Sequence, residues 1–116
     1  IEDFGVGFFT KYGDGGVDIS PIADLMKSEV YKLGQTLGVV DSIMQAKPTD
    51  GLWDDDRTDE DQLGVSYDEL EWAMNFKGDQ SSLTDNQKNA LLTYKKHRSK
   101  NLHKMKDIPV FKNDSE

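Results

Sequence analysis

Residues 7–25 read GFFTKYGDGGVDISPIADL, from Gly7 through Lys11, Gly16 and Asp18 to Leu25, and the character of the chain is decided here. Gly5, Gly7, Gly13, Gly15 and Gly16 surround the aromatic pair Phe8 and Phe9. Glycines so placed let the backbone turn with positive φ and let a ligand come close to it. Between them, Val6 to Thr10 is short, β-branched and aromatic, which predicts a strand, and Val17 to Ile19 predicts a second extended piece before Pro21. Little room is left for a helix. The common phosphate cradle G-x-x-x-x-G-K-[ST] occurs nowhere in the chain, and no helix start follows the glycines. A lysine and two aspartates held between tight turns suit a ligand that carries both anionic and hydroxyl groups, because Lys supplies charge and Asp accepts from diols. The same spacing also describes a Gly-rich hairpin with solvated charges.

Working outward, Val30, Leu33 and Leu37 recur at i, i+3 and i+7, which predicts a helix over 27–37 with Gly38 as the residue that ends it. Lys27 falls in its first turn, beside free N–H groups that favour an anion. Asp41 is placed to cap a short helix that Pro48 stops. Residues 47–64 have no apolar periodicity. Within Asp50 to Asp61, Asp50, Asp54, Asp55, Asp56, Asp59, Glu60 and Asp61 stand against the single Arg57, so a solvated, mobile loop is expected. Ser66 with Glu69 forms a capping box, Val65 can staple onto Leu70, and the helix runs to about Asn75 with Gly78 closing it. Thr84 with Gln87 repeats the box and starts a helix of four or more turns. From 88 to 106 there are seven bases and no acid, and from Ile108 the tail reads as extended.

The chain has 116 residues, a net charge of −8, 35% hydrophobic and 31% charged residues, and no cysteine. That composition allows one domain at most. It argues against a surface that tracks nucleic acid or anionic lipid, and the basic stretch 88–106 carries only Tyr94 as a stacking residue. Disulfides, thiolate metal sites and a cysteine nucleophile are excluded. An EF-hand starting at Asp54 fails, because Asp59 stands where Gly is required and Val65 where the bidentate Glu belongs. His97 and His103 lack the partners of a zinc site. No run is long and apolar enough for a membrane span, so a soluble, cytoplasmic protein is expected. Ile1 opens an apolar stretch, and the chain reads as a piece of a longer one.

The run 7–25, together with Lys27, PTDGLWDDD at 48–56 and DQLGVSYDELE at 61–71, resembles the C-terminal half of NAD synthetase of the ammonia-dependent type. The resemblance implies part of a doubly wound α/β fold of the adenine-nucleotide α-hydrolase-like (ATP pyrophosphatase) kind, mainly helical here with one or two strands. It also implies a homodimer and an ATP-dependent amidation of deamido-NAD: ATP adenylates the nicotinic acid carboxylate, pyrophosphate leaves, and ammonia displaces AMP. By the same resemblance Lys11, Asp18, His103 and Lys104 match positions that hold deamido-NAD, and Lys27 and Thr49 positions that hold ATP. Glu2, with Asp3 as its alternative, matches the residue that coordinates Mg2+, and His97 matches nothing. Residues 47–64 would form a lid that keeps water from the adenylate. The family's nucleotide loop of Ser-Gly-Gly-x-Asp-Ser type has no counterpart in these residues, so half an active site is expected, inactive by itself. The competing class is a non-catalytic interaction module that uses the basic helix 88–106.

Overall fold

The computed structural model describes residues 1–113. Six α-helices follow one another: α1 (Glu2–Val6), α2 (Lys27–Thr36), α3 (Asp41–Met44), α4 (Asp59–Leu63), α5 (Tyr67–Asn75) and α6 (Asp85–Asn101). Two 3₁₀ turns, Gln80–Ser82 and Leu102–Met105, flank α6. No strand occurs among the described residues, so the extended pieces expected at Val6–Thr10 and Val17–Ile19 are not formed. Val6 instead closes α1, a helix that the Gly-rich context hid. Five residues that include a glycine have little helical propensity of their own. Tertiary contact holds them: Val6 is wholly buried against Leu63, Val65, Tyr67 and Leu70.

Local signals elsewhere behave as their chemistry requires. The hydroxyls of Ser66 and Thr84 accept from the amides of Glu69 and Gln87, and those side chains reach back to the cap amides, so α5 and α6 start where the boxes lie. Gly38 adopts φ 73° just past α2. Asp41 proves to be inside the first turn of α3, with Val40 as the cap. α5 ends because Phe76 turns extended, two residues before Gly78. The acidic segment 47–64 is not loop throughout. Its last third is α4, started by the hydroxyl of Thr58 accepting from the Asp61 amide and ended by Gly64 in the left-handed region. Beyond α6, residues 108–113 have no regular structure, and the rest of the tail lies outside the described residues.

The core has two parts joined by Tyr94 of α6. Val6, Leu63, Val65, Tyr67 and Leu70 form one, and Ala73, Ala90 and Leu91 with Trp72, Phe76 and Leu83 form the other. The radius of gyration is 17.2 Å, against roughly 13–14 Å for a compact chain of this length. The arrangement is open, and it leaves the apolar stripe expected to bury α2 in solvent, with Leu33 41% and Leu37 72% exposed. No helix among the described residues is long and apolar enough to cross a membrane.

Candidate functional site

The Gly-rich loop leaves α1 at Gly7 and folds back on itself. The amides of Gly13 and Gly15 donate to the Thr10 carbonyl, and the Thr10 amide donates to Asp14 Oδ2 at 2.9 Å. This places Lys11 against the turn after α6. Its Nζ donates to the carbonyl of His103 at 3.0 Å and to that of Lys106. Lys104 answers from the other side, donating to the carbonyls of Gly7 and Phe9, each at 2.9 Å. Lys11 and Lys104 thus share a cavity of about 490 Å³ with Phe9, Tyr12 and Met105. An ammonium has three hydrogens. Two of them are engaged on carbonyls in each lysine, and the Lys11 ammonium also lies 5.6 Å from the Tyr12 ring centre and the Lys104 ammonium 5.9 Å from that of Phe9.

Lys27 opens a second site, at the start of α2. Both carboxylate oxygens of Glu2, a side chain only 2% exposed, accept from the Lys27 amide at 2.8 and 3.0 Å. Glu2 therefore satisfies the free amide end of α2 from outside the helix. The Lys27 ammonium lies 4.6 Å from the centre of the Tyr67 ring and lines a cavity of about 280 Å³ with Tyr31, Lys47, Pro48 and Glu60. Among the described residues no three His, Asp or Glu side chains cluster in a way that would hold a metal ion.

Of the residues expected from the sequence, the structure brings Lys11 together with His103 and Lys104, and Glu2 together with Lys27. Asp18 lies exposed in the bend after the glycines. Thr49 is exposed as well, its hydroxyl donating to the Arg57 carbonyl at 3.3 Å. His97, without a role in the sequence, presents Nε2 to the Leu63 carbonyl at 3.2 Å. A carbonyl only accepts, so that nitrogen carries the hydrogen.

Sequence reading missed a group beside the Lys27 cavity, which Tyr67 helps to line. The Tyr67 hydroxyl lies 2.8 Å from Asp3 Oδ1 and 3.2 Å from Asp59 Oδ2, and Asp59 Oδ1 is buried with no partner. The phenol donates toward both carboxylates but has only one proton to give, so Asp59, at the longer distance and with its other oxygen unpartnered, is the less well satisfied of the two. Burial pushes the Asp59 carboxyl above its ordinary range, with the nearby Asp3 charge adding to it, while Tyr67 and Lys27 pull it down. Burial, followed by the charge of Asp3, likewise raises Tyr67. A carboxyl raised on folding binds its proton more tightly in the folded state. Stability from Asp59 is therefore present below the unfolded value, about 3.9, and is lost as pH rises through the folded one. Asp59→Asn should then gain stability relative to the parent as pH rises from 4 to 7, read from urea midpoints across that range. A difference that stays flat or shrinks would mean Asp59 is charged in the folded protein.

The NAD synthase family model matches residues 2–114. The NH(3)-dependent NAD(+) synthetase of Methanococcoides burtonii is 54% identical over 66 residues, which is 57% of this chain and 25% of that protein. The one from Thermoplasma acidophilum is 45% identical over 80 residues, 69% of this chain and 33% of that protein. Among solved structures, the NMN synthetase from Francisella tularensis is similar with a TM-score of 0.79 and 34% identity, covering 97% of this chain and 43% of that one. The chain spans about a quarter to a third of the length of these curated relatives.

Proposed function

The chain belongs to the NAD synthase family, and from that membership we propose that it supplies part of the substrate site of an ATP-dependent enzyme that amidates deamido-NAD to NAD with ammonia. The reading includes the adenine-nucleotide α-hydrolase fold for the longer enzyme. In this reaction the nicotinic acid carboxylate attacks the α-phosphorus of ATP and pyrophosphate leaves. Ammonia then attacks the adenylated carboxyl, AMP departs, and the one proton that ammonia sheds on becoming the amide passes to solvent.

Two anions, a carboxylate and a triphosphate, must meet, so the site has to supply fixed positive charge. The observation that carries the reading is the placement of Lys11 and Lys104 at one cavity and Lys27 at another. Lys11 and Lys104 hold the pyridine dinucleotide, and His103 and Asp18 border it. Lys27 and Thr49 serve ATP. Magnesium, when bound, would neutralise phosphate charge. Glu2 is the right type of donor, but both its oxygens face the Lys27 amide. A magnesium ion also takes about six oxygens, so these residues alone do not make its site and no step here depends on it.

A second substrate is favoured by one observation: the likeness to the Francisella NMN synthetase covers 97% of the chain. Amidation of the nicotinate mononucleotide is the same chemistry on a smaller ligand. Both substrates should therefore be offered to the longer enzyme with ATP and ammonia. Product amide is expected from at least one of them, and none from the 116-residue chain alone. Lys11→Ala should raise the KM of the pyridine nucleotide about tenfold, a loss of ~1.4 kcal/mol, with that of ATP little changed, and Lys27→Ala the reverse. Equal shifts of both constants in both variants, or turnover by the short chain, would refute this division of the site.

A further inference from the structure

The carbonyls at the end of α1 are met one after another by side chains spaced three apart on α6 and the turn after it. Arg98 Nη1 donates to the Gly5 carbonyl and Asn101 Nδ2 to that of Val6, both at 3.0 Å. Lys104 continues the row onto Gly7 and Phe9. Residues three apart share one helix face, while the acceptors are consecutive in the chain. The last carbonyls of a helix have no partner inside it, and a polar group left unpaired away from water is costly. Arg98 also places a positive charge where the helix dipole favours one.

We propose that Arg98 and Asn101 are positioning residues for the pyridine-nucleotide site: by gripping the end of α1 they fix the direction in which the Gly-rich loop departs, and with it the place of Lys11. This rests on the function proposed above. Neither residue lines the cavity that holds Lys11 and Lys104, so both act through the backbone of α1. The basic face of α6, which reads in the sequence as a surface for an acidic partner, is at these positions turned onto the chain itself.

The test uses the longer enzyme with Arg98→Ala, Arg98→Lys and Asn101→Ala, measuring KM for each substrate, the melting temperature, and hydrogen exchange at the amides of Phe8, Gly13 and Gly15. Both alanine variants should raise the KM of the pyridine nucleotide about fivefold, ~1 kcal/mol, leave that of ATP within about twofold, and speed exchange at the three amides. Arg98→Lys, which keeps one donor for the Gly5 carbonyl, should recover most of the loss. A lowered melting temperature with kinetic constants and exchange unchanged would make the row purely structural and overturn the proposal. If the alanine variants do not fold, Arg98→Met, which keeps the stem and removes the donor, decides: its exchange at Phe8 should be faster than in wild type, and wild-type values would overturn the proposal. Absence of wild-type turnover would refute the function instead, and the exchange comparison would then decide the positioning role by itself.

Discussion

Replacing Gly7 with alanine should cost the protein about 2 to 5 kcal/mol, and replacing Gly38 clearly less. The two glycines have the same backbone angle, φ 73°. An L side chain pays about 1 to 2 kcal/mol to adopt it at either place. The space around them differs. A Cβ at Gly38 meets nothing within 4 Å, whereas at Gly7 it would stand 2.3 Å from the Cβ of Asn101 and 3.4 Å from its carbonyl oxygen. Those atoms are the near end of a side chain and the backbone of α6, so relief requires moving one helix against the other. Overpacking of that kind costs about 1 to 3 kcal/mol more. Urea midpoints of the two single variants measure the difference. Equal losses would show that α6 does not approach α1 so closely.

Leu70→Ala is the second large effect, a loss of about 2 to 5 kcal/mol. Leu70 is fully buried in the cluster of Val6, Leu63, Val65 and Tyr67, where α1, α4 and α5 meet. The cluster is small, and its members come from three helices and the link between α4 and α5. A void there cannot be filled by one neighbour without drawing its helix along. Against a total stability of 5 to 15 kcal/mol for an ordinary domain, such a loss removes a large share. Leu37, 72% exposed, provides the contrast: its alanine variant should stay within about 0.5 kcal/mol of the parent. Chemical denaturation of both variants distinguishes burial from hydrophobicity as such.

The parts of this fold that are legible in the sequence are those whose cause is local. The boxes Ser66/Glu69 and Thr84/Gln87 place α5 and α6 because cap and partner sit within one turn. Thr58 with Asp61 carries the same signal for α4, but it lies in a run of acids whose charge masked it. α1 was illegible for a deeper reason. Its sequence is poor in helix formers, and the groups that complete it, Arg98, Asn101 and the cluster around Leu70, are distant in the chain. The candidate site divides likewise. Lys11, Lys27 and Lys104 stood out through resemblance. Asp18 and Thr49 did too, yet the structure leaves both exposed. Tyr67 and Asp59 carry no pattern, since a phenol shared by two carboxylates is made by packing alone.

The donors that complete α1 lie 93 to 97 positions further along the chain than the carbonyls they meet. Closing a span of that length has an entropic cost of roughly 4 kcal/mol plus a constant, whereas α5 and α6 pair as near neighbours. Long-range closure of this kind slows folding. On a ribosome, the Gly-rich segment emerges well before its partners and stays without them until residues 98–106 have been translated and have left the exit tunnel. The contacts that fix the loop therefore form only after the whole of α5 and α6 has been made.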